Sequence, residues 1–314
     1  MARAGLMQSK GAYMPFISAD GSAGVIKYGN YTSDGVGNFD TNLSQNIDKD
    51  QSIPNPVPDY FLGMRSSWEI DIWGKLRNKK LAAYSRLLAS EKGRHLVITS
   101  LVANIAEHYF TLVILDQELR IIGDNINLQR KAVETITFLK QGGRTNELAV
   151  KQASAQLLST QAFEYVIIQE IQNTENNLNY LLGRFPQYIP RTQTVKENFF
   201  PDQILSGIPS DMLLRRPDIQ QAELELKASD LEVKSARAAF LPSINISAFV
   251  GYNAFNAALL ANPGSLAYGI LGGISAPVIQ GKRIRANYNA SMAYNYEAYF
   301  NYRKTIYNGF REVH

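Results

Sequence analysis

The positions of proline divide this chain into one very long uninterrupted segment and two segments that proline interrupts repeatedly. No proline occurs between Asp59 and Phe185. Because proline breaks helices and is excluded from central strands, an interval of this length predicts long regular elements. The twelve prolines lie at positions 15, 54, 56, 58, 186, 190, 201, 209, 217, 242, 263 and 277.

The first long element is predicted to be a helix from Lys75 to Gln141, where apolar residues recur at alternating spacings of three and four. A second apolar stripe with the same period predicts that this helix has neighbours on both sides. At about 1.5 Å per residue it would be roughly 100 Å long. Residues 141–146 break the pattern, with Thr145 or Asn146 as the predicted N-cap of a second helix from Glu147 to Leu182. The short turn makes the two helices antiparallel.

After Pro242 the period of the apolar residues changes from 3.6 to 2, which predicts a strand. One face of this strand is apolar and the other is polar, with Phe249 as the one exception on the polar face. A second strand of the same kind follows the loop around Pro263, and a helical pattern resumes from Lys282 to His314. The end of the chain therefore predicts helix, β-hairpin, helix.

The beginning of the chain resembles this last section, which indicates an internal repeat. Residues 2–4 and 13–19 echo residues 236–238 and 240–246, and a return strand is predicted from Tyr60 to Ile72. Gly74-Lys75 opens the long helix as Gly281-Lys282 opens the last one.

A hairpin with one apolar and one polar face, continuing into long helices at both ends, favours a β-barrel in a membrane. Four strands are too few to close a barrel, because the smallest have about eight, so three chains supplying twelve strands are expected. The residues predicted to face the lumen are Asp20, Arg65, Ser67, Glu69, Asp71, Asn245 and Ser247. The aromatic residues predicted at the membrane interface are Tyr60, Trp68, Trp73 and Tyr252.

Other classes of protein are disfavoured by composition. The formal net charge of +4 is not clustered enough to indicate nucleic-acid binding, and the lack of cysteine excludes disulfides and thiol chemistry. The best candidate for a membrane-spanning helix, residues 96–106, is interrupted by polar residues, so none is expected. His95 and His108 have neither the HExxH spacing nor a third ligand, and no catalytic motif occurs, so neither a metal site nor an enzyme is predicted.

Five stretches resemble TolC-type outer-membrane efflux proteins, in the NodT-like lipoprotein branch that serves RND pumps. The Arg-Arg-Pro-Asp and Ala-Phe-Leu-Pro-Ser elements are the most specific of them. The stretches are residues 67–78 (SWEIDIWGKLRN), 147–153 (ELAVKQA), 209–219 (PSDMLLRRPDI), 236–244 (ARAAFLPSI) and 309–313 (GFREV).

The resemblance implies a mainly α-helical fold with a β-barrel part: a homotrimer with a twelve-stranded outer-membrane barrel and a periplasmic barrel of long helices. It implies passive export of small molecules such as drugs or metal ions, without cofactor, from a Gram-negative periplasm. The implied partners are outer-membrane lipid, a periplasmic adaptor (membrane fusion protein) and an inner-membrane RND pump, with no nucleic acid. The tip that would dock the adaptor comprises Gln141, Gly142, Gly143, Arg144, Thr145 and Asn146.

The predicted divisions follow from the repeat and the resemblance. Relative to the family, the lipidated start, the first helix and the second tip with its gate are missing, so we expect an internal fragment that does not assemble alone. The divisions are a first hairpin (12–73), a long helical hairpin (75–182), an equatorial connector (183–210), a helix of the second repeat (211–240), a second hairpin (242–280) and a truncated long helix (282–314).

Two alternatives to a small-molecule duct remain at this stage. One is a type I duct for protein secretion, which the Arg-Arg-Pro-Asp element disfavours, and the other is a soluble coiled-coil scaffold. Arg144 is interpreted either as an adaptor contact or as a solubilising charge. The Arg215-Arg216 pair is interpreted as anchoring a helix start in preference to binding an anionic substrate.

Overall fold

We describe the protein from a computed structural model, in which residues 1–37, 52–191, 215–279 and 282–313 are described. These residues divide into two compact units, one within residues 1–92 and 210–314 and the other within residues 93–209. The helices are α1 (Ala2–Gly11), α2 (Lys75–Gln141), α3 (Glu147–Leu181), α4 (Pro217–Ala238) and α5 (Arg283–Val313). The strands are β1 (Phe16–Ile26), β2 (Val57–Ile70), β3 (Ser243–Ala254) and β4 (Leu266–Ser275).

The four strands form one antiparallel sheet in the order β1-β2-β3-β4. The two hairpins are therefore joined through β2 and β3, so that the two halves of the internal repeat share a sheet. Gly63 lies opposite Gly251 in this central pair. A Cβ atom on Gly63 would lie 2.4 Å from the carbonyl oxygen of Val250, so the two strands approach closely only because neither glycine has a side chain.

The first unit also contains the start of α2 and the pair α4 and α5. Arg86 of α2 reaches Glu232 of α4, with Nη2 2.8 Å from Oε2. Helix α4 begins with Pro217 at its first turn, where proline is favoured because that N–H needs no partner. The sequence prediction begins this helix at residue 211, and residues 211–214 lie outside the described part of the chain.

The core of the second unit lies between α2 and α3. The buried positions on α2 follow the heptad-like spacing seen in the sequence, and the antiparallel helix α3 covers them. Ile189, from the segment after α3, closes the same core. The buried side chains are Leu112, Leu115, Ile122 and Ile126 from α2 with Ile167, Ile171 and Leu178 from α3.

The segment after α3 folds back onto the helices through polar contacts. Helix α3 ends at Leu181 and is followed by Gly183, whose φ of 66° is a left-handed conformation that glycine adopts without strain. The buried amide of Asn179 donates to the carbonyl of Gln187 at 2.7 Å. Arg191 forms ion pairs with Asp116 and Glu175. These contacts hold residues 184–191 against the helices, whereas the remainder of the predicted connector, 192–210, lies outside the described residues.

Helix α2 corrects one sequence expectation. It contains an 18-residue window with a mean hydropathy of 1.5, so by length and composition alone it could cross a membrane. An unbroken apolar run does not occur there, because isolated polar residues interrupt it, but they lower the mean hydropathy of the window only slightly. Only 11% of this window is buried, so the single chain leaves most of its apolar surface uncovered.

Candidate functional site: the two-faced sheet and the helix tip

The strand register places most of the predicted lumen residues on one face of the sheet. Residues directly opposite each other on antiparallel strands point to the same side. Ser67 is opposite Ser247, and Glu69 is opposite Asn245. Together with alternation along each strand, this register brings six of the seven predicted residues to one face, here called the polar face: Asp20, Arg65, Ser67, Glu69, Asn245 and Ser247.

Asp71, the seventh, lies just beyond the end of β2. Its carboxylate accepts hydrogen bonds from the backbone N–H groups of Leu76 and Arg77, at 3.1 and 2.6 Å. It therefore satisfies two of the unpaired donors at the start of α2 and interacts favourably with the helix dipole. An acidic residue shortly before a predicted helix start is the signal that would have identified this role.

The opposite face, here called the apolar face, carries large hydrophobic side chains that the single chain leaves exposed. Leu62 lies opposite Tyr252, and Met64 lies opposite Val250. Leu62 is 58% exposed and Ile270 is 82% exposed. A continuous apolar surface of this extent is unusual on a soluble monomer and indicates contact with lipid or another apolar partner.

Three of the four predicted interface aromatics lie on this apolar face, at two levels. Tyr60 and Tyr252 lie towards the hairpin loops, and Trp68 lies near the helical end of β2. Tyr60 and Trp68 are eight residues apart, which at about 3.3 Å per residue is about 26 Å. Along a strand tilted by about 35–45°, as in outer-membrane barrels, this distance corresponds to a height of roughly 20 Å, somewhat less than the apolar band of about 25 Å that aromatic girdles border.

Trp73, the fourth, lies between β2 and α2. Its indole N–H donates to the carbonyl oxygen of Pro242 at 2.7 Å. This bond connects the end of the first hairpin with the start of the second, so Trp73 joins the two repeats. Sequence reasoning missed the contact because its partners are far apart along the chain.

The two outer strands of the described sheet are each paired on one side only. Strand β1 has 11 residues and β4 has 10, and β1 pairs with β2 whereas β4 pairs with β3. The outer edges therefore expose rows of backbone N–H and C=O groups. In a membrane such groups need partners, because hydrocarbon offers none.

The turn between α2 and α3 is ordered by its own backbone. Gly143 has a φ of 70°, and the N–H of Arg144 donates to the carbonyl of Leu139 at 2.9 Å. The side chain of Asn146 accepts from the N–H of Ala149 at 3.0 Å, so Asn146 is the N-cap. The predicted tip is thus a compact turn whose residues are exposed, apart from the half-buried Thr145.

An ion pair between Lys140 and Glu147 closes the base of this turn. The hydrogen bond and the positive charge of Lys140 hold the pKa of Glu147 below its ordinary value. Glu147 therefore remains charged at mildly acidic pH, and the pair persists there.

Replacing Asn146 with alanine should loosen the tip. We expect Asn146→Ala to lower the local stability of the first turn of α3 by about 1 kcal/mol, because the N–H of Ala149 loses its acceptor. Hydrogen exchange at residues 147–150 measures this. Asn146→Ser, which restores a capping oxygen, is the control, and equal protection in all three proteins would contradict the prediction.

Arg216, from the Arg-Arg-Pro-Asp element of this sequence, is held by carboxylates. Its Nη2 lies 2.8 Å from Asp218 and 2.7 Å from Glu312. The hydrogen bond to Asp218 is the chief cause that raises the pKa of Arg216, with burial opposing it. Since the guanidinium already binds the start of α4 to the end of α5, the anchoring interpretation is favoured over binding of an anionic substrate.

Comparison with known proteins places this geometry in a family. The outer membrane efflux protein family matches residues 2–184 and 208–314. The probable outer membrane lipoprotein SilC of Salmonella typhimurium is 29% identical over 256 residues, which is 81% of this chain and 55% of that protein. The cation efflux system protein CusC of Escherichia coli K12 is 27% identical over 288 residues, covering 91% of this chain and 61% of CusC.

A solved structure has the same fold. The crystal structure of a membrane protein from Pseudomonas aeruginosa matches with a TM-score of 0.84 at 24% identity, covering 99% of this chain and 67% of that one. This confirms the predicted combination of long helices and β-hairpins. The chain spans little more than half the length of SilC and about three fifths of CusC.

The description of the family places its members in the outer membrane, which confirms the expected location. The match extends over both halves of the internal repeat, so it does not depend on a single motif. The chain belongs to the outer membrane efflux protein family.

Proposed function

We propose that this chain forms part of the exit duct of a tripartite RND-type efflux system, which passively exports small molecules from the periplasm of a Gram-negative bacterium. Three copies close a twelve-stranded barrel, with the polar face lining the lumen and the apolar face in lipid. The observation that carries the proposal is the sheet itself: one face is apolar and exposed, the other is polar, and both edges are open.

The open edges are the reason for assembly. An unsatisfied backbone group in hydrocarbon costs several kcal/mol, and each edge presents such groups along 10 or 11 residues. Pairing β4 of one copy with β1 of the next removes this cost for every copy at once. Twelve strands are within the range of known outer-membrane barrels.

The other parts of the chain take their roles from this arrangement. Hairpins 12–73 and 242–280 lie in the membrane, and the helical hairpin 75–182 extends into the periplasm, with 183–210 as an equatorial connector. The exposed turn from Gln141 to Asn146 docks a periplasmic adaptor, which connects the duct to an inner-membrane RND pump. The ordered backbone of that turn supports a docking role, since a preformed loop loses less entropy on binding.

The exported compounds are drugs or metal ions, and the name of CusC as a cation efflux protein favours metal cations. The full-length protein carries a lipid anchor, as the name of SilC supports. Selectivity lies mainly with the pump, so the duct itself needs only a polar lumen.

Deleting the gene in its host should sensitise cells to metal salts, dyes, detergents or antibiotics, and the wild-type gene should restore tolerance. Unchanged tolerance to all of them, with loss of a secreted protein, would favour the type I secretion duct instead. Extraction of the protein by carbonate without detergent would favour the soluble scaffold.

A pair of variants tests the assignment of the two faces in the same assay. Met64→Arg places a charge on the apolar face, midway between the levels of Tyr60 and Trp68. There it costs about 2–4 kcal/mol near the middle of the bilayer, so this variant should fail to restore tolerance. Ser67→Arg places the same charge on the polar face and should restore it. The reverse result would overturn the orientation of the sheet.

A further inference from the structure

The polar face contains an apolar exception that its water-facing role does not explain. Phe61 and Phe249 lie on this face, with ring centroids 6.1 Å apart in an edge-to-face arrangement. Phe249 lies directly opposite Arg65. The guanidinium carbon of Arg65 is 4.7 Å from the centre of the Phe61 ring. Two aromatic rings and a cation thus form one cluster on the polar face, which also carries the exposed side chains of Phe16 and Leu271.

Glycines make room for both rings. A Cβ on Gly269 would lie 2.6 Å from Cε1 of Phe249, and one on Gly63 would lie 2.9 Å from Cζ of Phe61. Aromatic rings that cover strand glycines stabilise sheets, and this explains Phe61, which is only 5% exposed. Phe249 covers Gly269 in the same way, but its ring remains 42% exposed beside a positive charge and is therefore accessible to a ligand.

Arg65 retains its capacity to bind an anion. It is the only Lys or Arg in the four strands, and it forms no ion pair within the part of the chain that the structure describes. Stacking uses the face of the guanidinium and leaves the in-plane N–H groups available. Those groups match the two oxygens of a carboxylate or sulfonate.

We propose that Arg65, Phe61 and Phe249 form a binding station for aromatic anions on the lumenal surface of the barrel, an inference that rests on the proposed function. Arg65 binds the anionic group, Phe61 holds the guanidinium in place, and the exposed ring of Phe249 packs against the apolar part of the ligand. With three chains, the lumen carries three such stations.

Single-channel recording in planar bilayers, from the full-length protein extracted from the membranes of its host, tests this station. The probes are 1-naphthalenesulfonate and methanesulfonate, which share the anionic group and differ in the aromatic part. We expect the naphthalene compound to block the wild-type current at the lower concentration. Arg65→Gln should raise its half-blocking concentration about tenfold, since a charge-assisted pair of hydrogen bonds is lost.

Further variants separate charge from stacking. Phe249→Ala should raise the half-blocking concentration of 1-naphthalenesulfonate about threefold or more, as expected for loss of an aromatic contact, and leave that of methanesulfonate unchanged. Arg65→Lys keeps the charge but not the planar fork, so it should bind 1-naphthalenesulfonate less tightly than the wild type and more tightly than Arg65→Gln. Lys10→Gln removes a charge from α1, remote in sequence from the station, and should have no effect.

The outcomes distinguish the two proposals. If the channels conduct but Arg65→Gln and Lys10→Gln change the half-blocking concentration equally, or not at all, the binding station is wrong. That result would not affect the proposed function as a duct. A wild-type protein that produces no conductance would overturn the proposed function and the station with it.

Discussion

Replacing Gly63 with alanine is expected to remove most of the folded protein from the membrane. The added Cβ would lie 2.4 Å from the carbonyl oxygen of Val250 and 2.5 Å from the Cα of Gly251. Both are backbone atoms of β3, so neither can rotate away as a side chain can. Strands β2 and β3 must separate to admit the methyl group, and overpacking of this kind costs about 1–3 kcal/mol or more.

The loss is amplified because β2 and β3 are the only strands that connect the two hairpins in the described sheet. The measurement is the amount of heat-resistant protein recovered in the outer membrane. Gly272→Ala is the matched control, because a Cβ at this β4 position meets no atom within 4 Å. Recovery of the two variants in equal amounts would contradict the close-approach argument.

Replacing Arg191 with methionine should cause the largest loss in the second unit, about 3 kcal/mol. The side chains of Arg191 and Glu175 are each 13% exposed, and Nη2 of Arg191 also lies 3.0 Å from Oδ1 of Asp116. Burial lowers the pKa of Arg191, but hydrogen bonds and charge from the two carboxylates outweigh it and raise the pKa overall. Methionine fills a similar volume but leaves the partly buried carboxylates of Asp116 and Glu175 without a positive partner.

A surface ion pair provides the control for this variant. Lys151 pairs with Glu147 one helical turn away, and its side chain is 74% exposed. We expect Lys151→Met to cost at most about 0.5 kcal/mol, as usual for exposed pairs of this spacing. Denaturant unfolding and hydrogen exchange at residues 184–191 measure both. Similar values for the two variants would show that Arg191 does not hold this segment.

Periodicity was sufficient to predict the helices and the two faces of the sheet. A period of 2 decides which side of a strand is buried, so Tyr60, Arg65 and Asn245 could be assigned to faces before any pairing was known. The alternation of apolar residues in the last strand continues in the sequence to Val278, whereas β4 ends at Ser275. Strand ends depend on pairing with β3, which local composition does not encode.

Contacts between distant segments were beyond sequence reasoning. Gly63 meets Gly251, and Trp73 meets Pro242, across the internal repeat. A single glycine in a strand can have many roles, and only the strand register shows that these two lie directly opposite each other. Phe249 was visible in the sequence as an exception, but its relation to Arg65 required the cross-strand alignment.

The shared sheet of the two repeats has a genetic consequence. Because β2 and β3 are already paired within a chain, the proposed trimer closes through a single kind of joint, β4 of one copy against β1 of the next. Such a ring is heterologous, and one chain with a damaged edge leaves it open. If half of the chains in a cell carried that damage, only about one eighth of the trimers would be intact. Mutations that damage the outer edge of β1 or β4 should therefore be dominant, whereas mutations that only reduce expression should be recessive.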